Sequence, residues 1–314
     1  MKYDVIIVGA GAAGLSAALY TSRRNLKTLV ISEDIGGQGA MAGTIENYPG
    51  LEETTGPKLM TEFYSQAQKF GAEIKTEEVL SIQKKEDKFL VKTNTKESTA
   101  SAVILAFGLS HRHLNVLGEE KFIGKGVAYC ATCDAPLYKG KTAAVVGGGN
   151  SALDAALLLA KNSPKVYLIY RGDKLSGEDI LIKQILSQPN IEVLFKTQIT
   201  EIKGEASVNK IVISQNNQEK ELETAGVFVE IGYEVKSDFI KGLVSQDEKK
   251  QIIIDLDGKT SEEGIFAAGD VTNISFKQVI ISAGEGAKAA LSCHKYLQSQ
   301  GLTKGVFIDW GKKK

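Results

Sequence analysis

Two glycine-rich turns, set in register with one another, constrain this chain more than any other feature. Gly9-x-Gly11-x-x-Gly14 lies near the start and Gly147-x-Gly149-x-x-Ala152 near the middle. Each follows an apolar, strand-like stretch (Tyr3 to Val8; Thr142 to Val146) and opens a helical pattern (Gly11 to Arg24; Asn150 to Lys161). A second apolar stretch then follows, Thr28 to Ser32 and Val166 to Tyr170. Counted from the first glycine, Gly9 to Glu33 and Gly147 to Arg171 have the same length and align without a gap. In such βαβ units the glycines allow a tight turn and a close backbone approach, which seat a pyrophosphate on the positive end of a helix. One such turn is weak evidence, because glycine turns also form for packing. Two in register predict an α/β chain with two Rossmann-like dinucleotide-binding domains.

Length and charge limit the remaining possibilities. With 314 residues and 43% hydrophobic content the chain can bury two ordinary cores. Lysine plus arginine equals aspartate plus glutamate at 38 each, so no net field draws it to nucleic acid or to an anionic membrane. No run of about 18 apolar residues is available to span a bilayer. No signal segment precedes the first strand, and a cytoplasmic location is expected. The Gly305 to Lys314 tail, with three closing lysines, reads as a solvated end.

Cysteine usage points to redox chemistry. Three cysteines in so long a chain are no disulfide scaffold, yet two of them form Cys130-Ala131-Thr132-Cys133-Asp134, shortly before the second fingerprint. In a reducing compartment a CxxC is catalytic or metal-binding. A zinc site needs four ligands, and His111, His113 and His294 show no spacing to a second cysteine pair, so no metal is expected. A CxxC beside a dinucleotide site instead suggests electrons moving between a nicotinamide and a disulfide. Asp134, next to the second cysteine, reads either as a proton donor and acceptor with a raised pKa or as a helix or turn cap. His111 and His113 are expected to face solvent, and Cys293, on a long helix from about Ser282 to Leu297, to be a small buried group.

The gapless alignment also reverses a charge. Glu33 ends the second strand of the first unit, where a carboxylate accepts hydrogen bonds from a ribose with a free 2′-hydroxyl. Arg171 holds the matching place in the second, where a guanidinium suits a 2′-phosphate. NADPH is therefore favoured, with NADH possible. Gly36-Gly37-Gln38 and Glu46-Asn47-Tyr48-Pro49-Gly50 read as loops whose amides can reach a flavin, or, for the second, as a plain turn. Ile265 to Asp270 reads as a buried strand ending in glycine and an acid.

Taken in order, GAGAAG, GGQ, ENYPG, CATCD, GGGNSA and FAAGD resemble the low-molecular-weight thioredoxin reductases, over nearly the whole chain. That resemblance implies FAD held by Gly9, Gly11, Gly14, Glu33, Gly37, Gln38, Asn47, Asp270, Gln278 and Val279. It implies a nicotinamide nucleotide held by Gly147, Gly149, Asn150, Ser151, Arg171 and Lys174, with Cys130, Cys133 and Asp134 catalytic. The nicotinamide domain (113–240) is then inserted into a discontinuous FAD domain (1–112 and 241–314), with hinges near Leu109 to Leu114 and Val235 to Leu243. The implied activity passes hydride from NAD(P)H through FAD and the Cys130–Cys133 disulfide to a thioredoxin or glutaredoxin-like protein, and the implied assembly is a homodimer. Alternatives on the same fold are a flavin-dependent dithiol oxidase and a disulfide reductase with another electron donor. The chain departs from the family at Pro136-Leu137-Tyr138, where a phenylalanine pair is usual, at Phe107 for threonine, and at Lys277 for arginine. Gly172 and Ser176 also replace family arginines, so discrimination between NADPH and NADH is expected to be modest.

Overall fold

The computed structural model describes residues 2–42 and 44–303; the lysine-rich tail lies outside them. The chain divides into two compact units, one formed by 1–110 with 235–314 and the other by 111–234. The expected second boundary, 240/241, falls six residues late. Val235, Ile240 and Val244 are buried in a core cluster with Tyr3, Ile6 and Leu105, so the chain after Glu234 packs with the first unit's sheet.

The first unit is built on a seven-stranded sheet. Lys2–Val8 lies between Thr28–Ser32 and Glu97–Leu105, parallel to both, and Glu73–Thr76 extends the parallel part on one side. An antiparallel pair, Val79–Lys85 and Lys88–Thr93, completes the other side, and Ile265–Ala267 pairs parallel to Glu97–Leu105. The central strands carry unbroken apolar runs, Val5 to Val8, Leu29 to Ile31 and Ala102 to Leu105, because both faces are covered there. On one face lies the Ala12–Arg23 helix, which pairs closely with the final helix, Val279–Ser299. The approach is so tight that a methyl on Gly286 would lie 2.0 Å from the Ala13 carbonyl oxygen. The final helix begins three residues earlier than its sequence pattern indicated and buries Cys293 completely. Phe107 packs edge-on against Phe239 with centroids 4.9 Å apart, so its place in the chain is one of packing.

The second unit has a parallel five-stranded sheet ordered Val127–Ala128, Gly226–Val229, Ala143–Val146, Val166–Tyr170, Ile191–Phe195. Asn150–Ala160 and Asp179–Ser187 cover it on one face, and an antiparallel three-stranded sheet (Thr197–Gly204, Val208–Gln215, Gln218–Glu223) shares a core with its other face. The chain enters and leaves this unit on a short ladder of Ser110–His111 with Tyr233–Glu234, where Arg112 N donates to Gly232 O at 3.0 Å.

The two nucleotide modules repeat each other bond for bond. Gly9 N donates to Ile31 O at 2.8 Å and Gly147 N to Ile169 O at 3.0 Å. The repeat extends to a third strand in each: Ala106 N donates to Val8 O at 2.7 Å, and Glu230 N to Val146 O at 2.8 Å.

Candidate active site

Each glycine of the first fingerprint has its own physical task. Gly9 has φ +106°, and a methyl there would sit 2.3 Å from Ala106 O, so the turn admits no side chain. A methyl on Gly14 would lie 1.9 Å from Gly9 O, which is the close helix-to-strand contact. Gly11 differs: among the described residues, the only atom near its open side is Gly36 O, at 3.9 Å. The second module repeats the division, with Gly147 at φ +145° against Glu230 O and Gly149 meeting only Ser176 Oγ at 4.0 Å. Tight first and third positions with an open second one are what a pyrophosphate on a helix N-terminus requires, so both turns fit a dinucleotide.

Around the first turn, Glu33 is exposed just beyond Thr28–Ser32, as a ribose partner must be. Gly36-Gly37-Gln38 is not a loop: Gly37–Met41 forms one helical turn, entered through Gly36 at φ +94°. Gln38 Nε2 donates to Leu109 O at 3.0 Å, which ties that turn to the end of the unit's central strands. Asn47 Nδ2 donates to Gln278 Oε1 at 3.1 Å, bringing together two amides from distant parts of the sequence. The Tyr48 to Leu51 stretch closes as a turn with Gly50 at φ +97°. Asp270 accepts from Ser282 Oγ at 2.9 Å near the start of the final helix, where Val279 is the first residue. Lys277 donates to Thr272 O at 2.7 Å, and burial holds its ammonium pKa below the usual range.

In the second unit, Arg171 and Lys174 are exposed after Val166–Tyr170. Asn150 is engaged by its neighbour, accepting from Glu178 N at 2.8 Å and donating to Glu178 Oε1 at 3.0 Å, while Ser151 is exposed. The Tyr170 ring lies against Gly148, where a methyl would come within 2.4 Å of it.

Cys130 and Cys133 form a disulfide with Cα atoms 5.4 Å apart. It spans the single helical turn Ala131–Asp134, which follows the edge strand Val127–Ala128 of the same sheet that carries the second fingerprint. Cys133 is exposed, and its N–H points at Cys130 Sγ at 3.2 Å. A thiolate on Cys130 would therefore have a backbone donor in place. Asp134 is half-buried, and burial pushes its carboxyl pKa up. Its side chain makes no cap hydrogen bond to the turn it precedes, so the capping alternative has no support.

The histidines are not the solvent-facing pair expected. His111 is half-buried with its ring between Tyr129 and Tyr233, centroids 5.5 and 4.8 Å away, and burial lowers its pKa. His113 Nδ1 lies 2.8 Å from Tyr129 Oη, which donates to Glu119 Oε1 at 2.8 Å. The buried Glu119 also accepts from Leu114 N and Asn115 N at 2.9 and 2.7 Å. This network fastens the segment entering the unit to the residue before Cys130. No short motif marks it, because its partners come from three separate stretches.

Sequence reasoning also missed Glu230, whose carboxyl accepts from the Ala131 backbone N–H and whose pKa is raised by burial to about 7. The signal was present in the third strands, where Leu105-Ala106-Phe107-Gly108 and Val229-Glu230-Ile231-Gly232 align and the second has a carboxylate where the first has an alanine.

With this geometry in view, residues 3–290 match the family model described as pyridine nucleotide-disulphide oxidoreductase. The chain belongs to that family. It is a flavoprotein oxidoreductase with the fold of the thioredoxin reductases. It is similar to a thioredoxin reductase of Treponema pallidum (strain Nichols), at 41% identity over 304 residues covering 95% of this chain and 98% of that one. An NADH dehydrogenase of Bacillus subtilis (strain 168) is 40% identical over 94% of this chain, which spans only 58% of that protein. The crystal structure of Lactococcus lactis thioredoxin reductase superposes with a TM-score of 0.81 at 33% identity, covering 95% of this chain and 99% of that one. No helix among the described residues is long and apolar enough to cross a membrane.

Proposed function

We propose that the chain is a thioredoxin reductase that carries reducing equivalents from NADPH through FAD to the Cys130–Cys133 disulfide, and from there to a thioredoxin-like protein. The observation that carries this reading is a CxxC disulfide, with Cys133 exposed, on the turn that follows the edge strand of the same parallel sheet that carries the second fingerprint. A bound flavin would supply the two-electron relay between nicotinamide and sulfur.

The chain's own residues supply binding and proton handling. Gly9, Gly11 and Gly14 would seat the FAD pyrophosphate, with Glu33 on the ribose and Gly37, Gln38, Asn47, Asp270, Gln278 and Val279 along the rest of the molecule. Gly147, Gly149, Asn150 and Ser151 would seat the nicotinamide nucleotide, and the exposed Arg171 and Lys174 would meet a 2′-phosphate. With its raised pKa, Asp134 keeps a proton to higher pH than an ordinary carboxyl, so it can give one to a departing thiolate and take it back. Exposed Cys133 and Leu137, the latter 66% exposed, present a sulfur and an apolar contact on one short segment for a protein substrate. Cytoplasmic location and homodimeric assembly belong to the same reading.

The test is anaerobic titration of the purified yellow protein with NADPH and then NADH, recording flavin bleaching, followed by addition of oxidised thioredoxin. Bleaching by NADPH and re-oxidation by thioredoxin are expected. Bleaching by neither nucleotide would overturn the choice of donor.

A further inference from the structure

Glu230 ends the Gly226–Val229 strand, which lies between the strand leading to the disulfide and the strand leading to the second fingerprint. Its backbone is fixed to the fingerprint side, donating to Val146 O at 2.8 Å and leaving no room for a side chain on Gly147. Its carboxyl reaches the other side, where it accepts from the N–H of Ala131, the first of the two residues between the redox cysteines and the first of their helix. The internal repeat shows that the fold does not need this group. The matching residue of the first module is Ala106, which makes the same backbone bond to Val8 O and is 5% exposed. A carboxyl stands only in the module that bears the disulfide.

From this geometry we propose that Glu230 is a proton-coupled positioning residue for the Cys130–Cys133 pair, holding the Ala131 N–H and binding its proton more tightly when the disulfide is reduced. The proposal rests on the reading of that pair as a redox centre. Reduction breaks the Sγ–Sγ bond and places two electrons on the sulfurs; one sulfur takes a proton and the other remains a thiolate. The new negative charge lies on the turn whose N–H Glu230 holds, and like charges so close disfavour a second anion. An ionised Glu230 therefore takes a proton from solvent as the thiolate forms.

Burial already brings this carboxyl to about 7 in the disulfide state. The titratable groups on the disulfide turn are Cys130, Cys133 and Asp134, with Tyr129 before them. Gly147–Gly149 bring none, the helix they open brings the exposed Asp154, and the strand end itself brings Tyr233 and Glu234. None of these segments carries a lysine or arginine that would hold Glu230 ionised.

The experiment equilibrates full-length, flavin-bound wild type and Glu230→Gln with dithiothreitol redox buffers under anaerobic conditions from pH 6 to pH 9. The Cys130–Cys133 dithiol is read by alkylation and mass spectrometry. Glutamine mimics the neutral carboxyl, so the two proteins should agree near pH 6. By pH 9 the wild-type disulfide should be about tenfold harder to reduce than the variant's, one pKa unit of coupling. A wild-type to variant ratio independent of pH overturns the proposal. So does loss of the pH effect in Asp134→Asn with retention in Glu230→Gln. Should Glu230→Gln fail to fold, infrared difference spectra on Asp134→Asn near pH 7.5 must show a protonated-carboxyl band that grows on reduction, and its absence is equally fatal. A disulfide that dithiothreitol cannot cycle would refute the redox reading as well, whereas a cycling pair with a flat ratio refutes the role of Glu230 alone.

Discussion

Arg171 occupies in one nucleotide module the position that Glu33 occupies in the other, each two residues beyond the isoleucine, Ile169 or Ile31, whose carbonyl accepts from the first fingerprint glycine. Both side chains are exposed, so each is free to meet a ligand. In the proposed function their opposite charges would select opposite riboses, since a carboxylate repels a 2′-phosphate and a guanidinium binds one.

The first prediction concerns that selection. The wild type should prefer NADPH over NADH by about tenfold to a hundredfold in kcat/KM. Arg171→Ala should erase most of the preference through the KM for NADPH, with NADH nearly unchanged. Steady-state kinetics with both nucleotides check this, and equal efficiency in the wild type would remove the basis for it.

Replacing Cys130 or Cys133 by serine should abolish reduction of a thioredoxin disulfide while leaving reduction of the flavin by nucleotide intact, because no sulfur is needed for that half. Stopped-flow bleaching and a coupled thioredoxin assay separate the two. A serine variant that still turned over protein disulfide would sink the assignment.

Asp134→Asn should slow turnover by about 10- to 1,000-fold, the scale of a lost acid–base group. Burial raises the pKa of Asp134, so the wild-type activity that depends on its proton should persist to higher pH than an ordinary carboxyl allows and then fall. The variant should lack that limb in its pH profile.

Two glycines of the final helix give a paired stability test. Gly286→Ala would drive a methyl to 2.0 Å from Ala13 O and should cost about 3 kcal/mol, whereas a methyl on Gly284 meets nothing within 4 Å among the described residues. Gly284→Ala should be neutral or stabilise by up to about 1 kcal/mol. Thermal denaturation of the two proteins side by side decides it.

Glu230 also affects stability. Its folded pKa of about 7 lies above that of an ordinary glutamate, so between those values the folded chain binds more protons than the unfolded one. Stability contributed by the neutral carboxyl is full below the ordinary range and declines as pH rises to about 7. Glu230→Gln should therefore be more stable than wild type by about 2 kcal/mol at pH 8.5, allowing for partial exposure, and no more stable at pH 4. Denaturant melts at the two pH values measure the difference.

Both modules were legible because their signals are local: an apolar strand, glycines at fixed spacing, and a helix. Cys130 and Cys133 were legible for the same reason. What could not be read depends on packing between distant segments. Gly37–Met41 looked like a loop because its glycines suggest turns, yet Gly36 at φ +94° starts a helical turn there. His111 looked exposed because Tyr233, more than a hundred residues away in sequence, supplies the ring it rests on. Asn47 and Gln278 meet only through the fold. Glu230 was missed because a single carboxylate in an apolar strand carries no motif, although aligning the third strands of the repeat would have exposed it.

The pairing of Ser110–His111 with Tyr233–Glu234 has a consequence for how the molecule is made. The Ala12–Arg23 helix and the Lys2–Val8 strand are synthesised early, but Ile265–Ala267 and Val279–Ser299, which finish the same sheet and helix layer, emerge only after the whole inserted unit. A loop that long would be slow to close if the intervening chain were disordered. Folding the insert first brings its two ends side by side and reduces the gap to a hairpin's width. If the insert folds first on the ribosome, the disulfide-bearing unit would act as a splint that shortens the search of the first unit for its own last helix.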